Sequence, residues 1–387
     1  MVKNVFTNAD DSRFTFITEW YDAKPDILRT FYMFFFPADD TLELFDVKNR
    51  VTFLKRTKCE GVSLADIYVG STINIFSRQM TVTGFGDGFT KKKLGMLKQK
   101  TFGMLKPNVF NEMGEIIKDI YKNDFKITNL KMCTLNKEQA TEFYKQYQAQ
   151  PHLPFLVDYL MSGPVVAMEL VAENAVVKWR ELVGPTDPQS ARKEAPHTLR
   201  AKYGKDKSLN SLHSSDSPEA AEIELSTFFT STHDQRRPTP RTTAILKDTT
   251  CCIVKPHAMR EGLLGDIIVA IQNKGFTISA MRMFYLDQFC AEEFYEVYKG
   301  VVPEYSGMVS ELISGACVVM EIGGHGEETP VKFRAAVGPS DPDIAKQLRP
   351  DTLRAMFGKN KIENGVHCTD LPEDALMEVE YFFKMLE

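Results

Sequence analysis

Two histidines of this chain stand in the same polar surroundings, 154 residues apart. An asparagine lies three positions before each histidine, a hydroxyl residue two positions after it and an aspartate three after it: Asn210, His213, Ser215 and Asp216, and Asn364, His367, Thr369 and Asp370. A glutamate follows eleven residues after each histidine, at Glu224 and Glu378. Because a neutral imidazole is nucleophilic and a carboxylate beside it fixes its tautomer, the pattern indicates two histidines that carry a transferred group.

Each histidine pattern is accompanied by cationic residues that suit a polyphosphate. Both halves of the chain contain, in the same order, a lysine, an arginine, a hydroxyl residue and a second arginine: Lys106, Arg180, Thr186 and Arg200, and Lys255, Arg334, Ser340 and Arg354. Guanidinium and ammonium groups neutralise phosphate oxygens, and neither half has a glycine-rich phosphate loop. We therefore expect two sites in which side chains hold nucleotide phosphates and Mg²⁺ bridges those phosphates.

These residues belong to a duplication that covers most of the chain. Matching segments such as 105–107 and 254–256 recur in unchanged order, and the offset between them drifts only from 149 to 154. Two homologous modules of roughly 130 residues follow from this repetition. The expected division is an N-terminal domain at 1–90, module A at 91–230, a linker at 231–248 and module B at 249–387.

Strand and helix patterns alternate within each module. Buried strands are predicted at 101–106 and 250–255, each followed by apolar residues at helical spacing. The sum predicts an α+β sandwich, with one antiparallel sheet and helices across a face. Asp216 and Asp370 are expected to cap the last helix of each module.

The first 90 residues belong to neither repeat. They are rich in aromatic and β-branched residues and alternate in polarity over 13–18 and 72–76, which predicts a small antiparallel β-barrel or sandwich. A basic linker is predicted to follow, with lysines that are either solvated surface or a contact for an acidic partner: Lys91, Lys92, Lys93, Lys98 and Lys100.

Composition excludes several classes of protein. The net charge of −5 gives no general attraction to nucleic acid, and the longest apolar run, 31–36, is too short to span a membrane. The seven cysteines show no C-x-x-C spacing, so we expect neither a zinc cluster nor a disulfide framework, and we place the protein in a reducing compartment, the cytoplasm.

Both repeats resemble the nucleoside diphosphate kinase family, whose signature is Asn-x-x-His-x-Ser-Asp. The first copy matches this signature, and Thr369 of the second copy keeps a hydroxyl where the signature has serine. The resemblance implies two tandem ferredoxin-like α/β sandwich domains. Residues 1–90 resemble the small PH-like domain, called DM-ten, of proteins in ciliary doublet microtubules. That likeness implies an N-terminal PH-like antiparallel β-barrel.

The family resemblance also implies a mechanism and a role for each matched residue. A phosphate passes from a nucleoside triphosphate such as ATP to a diphosphate through phosphohistidine, with Mg²⁺ bound through the nucleotide phosphates. His213 and His367 are the implied nucleophiles, oriented by Glu224 and Glu378. The implied nucleotide-binding residues are Lys106, Tyr144, Arg180, Thr186, Arg200, Asn210 and Ser215, and Lys255, Tyr295, Arg334, Ser340, Arg354, Asn364 and Thr369.

Departures from the family pattern concentrate around the nucleotide base. The family clamps the base with a phenylalanine, and that place falls on His152 in module A and near Glu304 in module B. Aromatic stacking contributes about 1–3 kcal/mol per base, and a glutamate offers none. We therefore expect the affinity for the nucleotide base, rather than the phosphate chemistry, to differ from that of the family.

Two classes of function fit this sequence. One is an active kinase with two sites, because both histidines and every phosphate-side cation are retained. The alternative is a mainly structural protein of the doublet microtubule, which uses kinase folds as scaffold with weak or no turnover. The two are compatible, and we expect a kinase in the cytoskeleton of the cilium or flagellum axoneme, with tubulin and microtubule-associated proteins as partners.

Overall fold

The computed structural model describes residues 13–22, 25–59, 61–95, 98–145, 153–229 and 239–386. Its N-terminal part contains six strands and one short helix: β1 (Phe14–Asp22), β2 (Ile27–Phe36), β3 (Thr41–Asp46), β4 (Val51–Lys58), β5 (Thr72–Ile75), β6 (Arg78–Phe85) and α1 (Gly88–Leu94). The strands form one antiparallel sheet in the order β4-β3-β2-β1-β6-β5. The predicted antiparallel β-structure is confirmed. Because β4 and β5 remain the two edges of this sheet, a closed barrel is not confirmed.

The lysines that follow this sheet do not form a simple linker. Lys91, Lys92 and Lys93 lie on α1 and are all exposed, and Lys100 lies on the next strand. The helix forms because the Asp87 side chain accepts a hydrogen bond from the Thr90 backbone amide, which caps its first turn. The sequence prediction missed this cap because the preceding residues are dominated by glycine.

The described residues of module A form four strands and seven α-helices. In chain order these are β7 (Gln99–Leu105), α2 (Met113–Lys122), β8 (Lys126–Thr134), α3 (Lys137–Phe143), α4 (Leu153–Met161), β9 (Val165–Ala172), α5 (Ala175–Val183), α6 (Pro188–Glu194), α7 (Leu199–Tyr203), β10 (Leu212–Ser214) and α8 (Pro218–Phe228). The expected alternation of strands and helices around one antiparallel sheet is confirmed.

Module B repeats this arrangement after a two-residue strand, β11 (Arg241–Thr242). Its elements are β12 (Thr250–Val254), α9 (Pro256–Arg260), α10 (Leu264–Asn273), β13 (Thr277–Phe284), α11 (Gln288–Phe294), α12 (Tyr305–Leu312), β14 (Cys317–Gly323), α13 (Thr329–Val337), α14 (Pro342–Leu348), α15 (Leu353–Phe357), β15 (Val366–Cys368) and α16 (Ala375–Glu380). A π-helical turn, Tyr381–Met385, extends α16.

The sheets of the two modules are continuous. The order β10-β7-β9-β8-β13-β14-β12-β15 shows that β8 of module A pairs with β13 of module B. Lys131 faces Arg282 at this antiparallel join, and these two residues occupy equivalent positions in the repeat. The modules are therefore related by an approximate two-fold axis that passes through this strand pair.

Two equivalent glycines let the helices above the join approach each other. A Cβ added to Gly265 of α10 would lie 2.6 Å from the backbone nitrogen of Lys118 and 2.7 Å from the carbonyl oxygen of Gly114, both in α2. Apolar residues of α2 and α10, such as Ile117 and Ile268, share one buried cluster with strands of both modules. The two halves therefore have a common hydrophobic core.

The N-terminal sheet and the linker also connect the modules. Asp66 forms a 2.6 Å ion pair with Lys126 of module A, while Asn74 donates a hydrogen bond to the Ile313 carbonyl of module B. In the linker, β11 pairs with β8, and the backbone amides of residues 245 and 246 donate to the fully buried Glu321 carboxylate. None of the helices in the described ranges combines the length and apolarity needed to span a membrane.

The close approach of α2 and α10 predicts that Gly265→Ala destabilises the protein. Alanine gains up to about 1 kcal/mol of helix propensity over glycine. Its methyl group, however, would contact backbone atoms of α2 that cannot move aside, and such overpacking costs about 1–3 kcal/mol. Urea unfolding should give a lower free energy of unfolding than for the wild type.

Gly88→Ala in α1 is the matched control for this measurement, because nothing lies within 4 Å of a Cβ added there. The control should leave stability unchanged or raise it slightly. A Gly265→Ala protein that is as stable as the Gly88→Ala protein would contradict the tight crossing of the two helices.

Candidate active sites

Each histidine lies on a three-residue strand at an outer edge of the joined sheet. His213 of β10 faces Met104 of β7, and His367 of β15 faces Ile253 of β12. The residue two positions earlier turns the chain into the strand with a positive φ, 72° at Ser211 and 83° at Gly365. In each module, a left-handed backbone turn directly before a short edge strand therefore sets the direction of the histidine side chain.

The glutamates predicted to orient the histidines are in place in both modules. His213 Nε2 lies 2.9 Å from Glu224 Oε1, and the Ser215 hydroxyl donates to the other carboxylate oxygen at 2.6 Å. Because a carboxylate oxygen accepts a hydrogen bond, this buried contact favours the tautomer of His213 that carries the proton on Nε2. The lone pair of Nδ1 is then left for attack on phosphorus.

Module B reproduces the same contact with a threonine as support. His367 Nε2 lies 3.0 Å from Glu378 Oε2, and the Thr369 hydroxyl donates to the same oxygen at 2.8 Å. A phenylalanine packs edge-on against each imidazole, Phe143 at 4.8 Å and Phe294 at 5.1 Å between ring centroids. Ring rotation is therefore restricted in both sites.

Burial changes the charge of the phosphate-side lysines. Desolvation, with a smaller contribution from Arg200, lowers the pKa of Lys106 to about 7. Desolvation and Arg354 lower the pKa of Lys255 to about 7 in the same way. An incoming polyphosphate would restore the charge of each lysine because it supplies the missing counter-charge.

The second arginine of each set is held by backbone carbonyls. Arg200 donates to the Gly184 and Leu212 carbonyls at 2.7 and 3.0 Å. Arg354 donates to the Gly338 and Val366 carbonyls at 3.1 and 3.2 Å. These contacts fix both guanidinium groups next to the histidine strands.

The first arginine of each set pairs with the aspartate of the histidine pattern. Arg180 bonds to Asp216, and Arg334 bonds to Asp370. The prediction that these aspartates cap the following helices is wrong. Ser217 caps α8 through the Ala220 amide, while a 3-10 turn, Pro372–Asp374, precedes α16.

The two asparagines differ in whether their side-chain carbonyl oxygen has a hydrogen-bond partner. Asn210 accepts a 2.8 Å hydrogen bond from Lys106 Nζ and donates to the Thr186 carbonyl at 3.4 Å. Asn364 donates to the Ser340 carbonyl at 3.1 Å, but its buried carbonyl oxygen has no hydrogen-bond partner within the described parts of the chain. Such an oxygen is suited to accept a hydrogen bond from a hydroxyl group of a bound ligand.

Each set of residues opens into a cleft large enough for a nucleotide. The cleft of module A holds about 840 Å³ and is lined by Lys106, Tyr144, Arg180, Thr186, Arg200, Asn210 and His213. The cleft of module B holds about 790 Å³ and is lined by Lys255, Arg334, Ser340, Arg354, Asn364 and His367. Tyr295 lies outside that lining, because it is fully buried and packs against the His367 ring at 5.8 Å.

The base-side wall is where the sequence departs from the aromatic clamp of the family. His152 lies outside the described residues. In module B, Glu304 lines the cleft and forms a 3.7 Å ion pair with Lys361, which also lies 3.9 Å from Asp341. Sequence analysis missed Lys361 and its counterpart Lys207, because a single lysine before an asparagine carries no distinctive pattern.

Comparisons with known proteins agree with this geometry. A sequence model of the family "Nucleoside diphosphate kinase" matches residues 99–233 and 248–387, and the chain belongs to that family. The order of one N-terminal domain and two tandem kinase domains predicts a resemblance of the whole chain to nucleoside diphosphate kinase seven, and this prediction is confirmed. "Nucleoside diphosphate kinase homolog 7" of Rattus norvegicus is 48% identical over 97% of this chain and 94% of its own length.

Single-module relatives match as well. The "Nucleoside diphosphate kinase" of Aquifex aeolicus is 40% identical over 35% of this chain and 96% of its own length. A crystal structure of that organism's enzyme covers 33% of this chain and 92% of its own, with a TM-score of 0.33.

The depressed lysine pKa values predict that nucleotide binding takes up protons at pH 8. Both lysines are mostly neutral above pH 7 in the free protein, and the bound phosphates favour their charged form. About one proton per site should be absorbed, measured by calorimetric titration with ADP in buffers of different ionisation enthalpy.

The double variant Lys106→Arg, Lys255→Arg should bind ADP without this uptake, because arginine is always protonated. Binding enthalpies of the wild type that do not depend on the buffer would show that the lysines are already charged in the free protein.

Proposed function

We propose that this protein is a nucleoside diphosphate kinase with two transfer sites. Nδ1 of His213 or His367 attacks the terminal phosphorus of a nucleoside triphosphate such as ATP. The N–P bond forms as the bond to the bridging oxygen breaks, and the diphosphate leaves. A second diphosphate then attacks the phosphohistidine, which returns the histidine and yields a new triphosphate.

The observation that carries this proposal is the doubled histidine–glutamate contact beside a cationic cleft. In each module the glutamate occupies Nε2, and this leaves Nδ1 as the nucleophilic nitrogen. A lysine and two arginines line the same cleft as the histidine. These are the groups that stabilise charge on a transferring phosphoryl group.

Mg²⁺ enters this proposal as part of the nucleotide substrate. The carboxylates of Asp216 and Asp370, which line the two clefts, are already paired with Arg180 and Arg334. The ion would therefore be held through phosphate oxygens, which it would polarise. The unpartnered carbonyl oxygen of Asn364 is placed to accept a ribose hydroxyl.

The first test is the covalent intermediate. Incubation with radiolabelled ATP should give a protein-bound phosphate that acid removes and alkali spares, as expected for phosphohistidine. The single variants His213→Ala and His367→Ala should each keep the label of the other module. The double variant should lose it entirely.

Acid-labile label that persists in the double variant would overturn the assignment of the two nucleophiles. A wild-type protein that folds and binds ADP but takes up no label would favour the alternative of a mainly structural protein. Folding of each variant is checked by circular dichroism.

We further propose that the protein acts in the cytoskeleton of the cilium or flagellum, at the doublet microtubule of the axoneme. Supporting features are the resemblance of residues 1–90 to the PH-like DM-ten domain and the three exposed lysines of α1. An acidic tubulin surface would attract these lysines in a salt-sensitive manner. A scaffold role with weak turnover is the second candidate, favoured by the Glu304–Lys361 pair on the base-side wall.

Reversing the charge of α1 tests the microtubule proposal in the full-length chain. The triple variant Lys91→Glu, Lys92→Glu, Lys93→Glu should co-sediment with microtubules several-fold less than the wild type at low salt, because each removed contact contributes about 1 kcal/mol or less. Phosphoenzyme formation should not change.

A matched control reverses Lys137, Lys193 and Lys299, which are exposed lysines of the two kinase modules. This variant has the same net charge as the α1 variant and should bind like the wild type. Equal losses in both variants would indicate attraction by net charge rather than by α1.

A further inference from the structure

A buried histidine outside both nucleophilic sites connects two walls of module B. His257, in α9, is two residues after Lys255 and is 1% exposed. Its Nδ1 donates to Glu311 Oε1 at 2.8 Å, and its Nε2 accepts the Gly365 backbone amide at 3.1 Å. The bridge therefore runs from α12, which borders the cleft, to the turn that aims His367.

Glu311 anchors this bridge as an ionised acceptor. Its Oε1 also accepts the His257 backbone amide at 2.8 Å, and Arg260 lies 3.6 Å from Oε2. Burial alone would raise the pKa of Glu311, but the hydrogen bonds from His257 and the charge of Arg260 hold it below its ordinary value. The carboxylate thus requires a donor at Nδ1, which makes Nε2 the acceptor in the neutral ring.

Module A builds the equivalent bridge from groups that do not titrate near neutral pH. Asn108 occupies the place of His257, Tyr159 that of Glu311 and Ser211 that of Gly365. The Tyr159 hydroxyl bonds to Asn108, whose amide nitrogen donates to the Ser211 hydroxyl at 2.9 Å. That hydroxyl in turn donates to the Tyr203 carbonyl at 2.7 Å, so a side chain secures the left-handed turn.

Gly365 has no side chain with which to secure its own turn. Its carbonyl accepts the Lys255 amide at 3.1 Å, and its amide is held by His257. The segment 255–257 therefore forms hydrogen bonds with the peptide groups on both sides of Gly365. These two hydrogen bonds connect Lys255 and His257 to the turn that precedes His367.

We propose that His257 is a positioning residue of module B, which aims His367 only while its imidazole is neutral and so makes module B more acid-sensitive than module A. Protonation places a hydrogen on Nε2 that faces the Gly365 amide hydrogen, and the bond is lost. The inference of acid-sensitive transfer rests on the proposed function, whereas the contact itself does not.

The titratable and charged groups around His257 come from three parts of module B. Glu311 lies on α12, Lys255 directly precedes α9 and Arg260 ends it, and Glu363 precedes β15. The nearest ligand atoms of His257, Glu311 and Glu363 are all within 4.8 Å of one another. Both ring nitrogens are already engaged, so no lone pair is available for a metal, and the group is better described as a hydrogen-bonded switch.

Single-module backgrounds of the full-length protein test this proposal. His213→Ala reports module B and His367→Ala reports module A, each by rapid-quench formation of phosphohistidine from ATP at pH 8 and pH 6. Module B should lose about threefold to tenfold more rate than module A, which corresponds to one hydrogen bond. Adding His257→Asn and Glu311→Tyr to His213→Ala installs two of the three bridge residues of module A, neither of which titrates near neutral pH, and should bring the two pH ratios within about twofold.

Equal pH ratios in the two modules would overturn the proposal, as would a module B ratio that the two substitutions leave unchanged. Hydrogen exchange gives a readout that does not need turnover or the double substitution. After correction for intrinsic exchange, the Gly365 amide should lose about threefold to tenfold of its protection from pH 8 to pH 6. In His257→Asn, whose amide oxygen can accept at any pH, protection should stay constant.

A constant Gly365 protection in the wild type would refute the switch even if transfer is pH-dependent. Conversely, His213→Ala protein that forms no phosphohistidine at either pH would refute turnover by module B. The exchange result would then still decide whether His257 holds Gly365.

Discussion

The central constraint on this molecule is the distance between α2 and α10. Gly114 and Gly265 let these helices cross closely above the paired strands β8 and β13. From that pairing follow the continuous sheet and the shared apolar core. It also places the histidine strands, β10 and β15, at opposite ends of the sheet.

The shared scaffold separates what each module has kept from what has changed. The histidine–glutamate contact and its hydroxyl support are the same in chemistry and nearly the same in distance. The groups one step behind them differ, with an amide, a phenol and a hydroxyl in module A where module B has an imidazole, a carboxylate and a glycine. Nearly identical geometry at the two histidines can therefore rest on supporting residues that differ in whether they titrate near neutral pH.

Sequence reasoning succeeded where a contact follows from local periodicity or from repetition. The strand before Lys106 and the gathering of His213, Glu224 and Ser215 were predictable, because the order of polar residues was written twice. The cap assignment of Asp216 failed, since Arg180 reaches it from 36 residues away and Ser217 supplies the cap instead. The joined sheet could not be predicted either, because no residue pattern indicates which strand edges will pair.

The N-terminal domain lies across the seam between two halves that are nearly equivalent, with Asp66 contacting one half and Asn74 the other. A two-fold symmetric dimer of identical subunits would offer this seam in two equivalent orientations related by a rotation of 180°, and two attached domains would compete for one axis. Fusion of the halves into a single chain removes that competition. Duplication within one chain has therefore given the protein a polarity, a single face on which one copy of an added domain can be seated in one direction only.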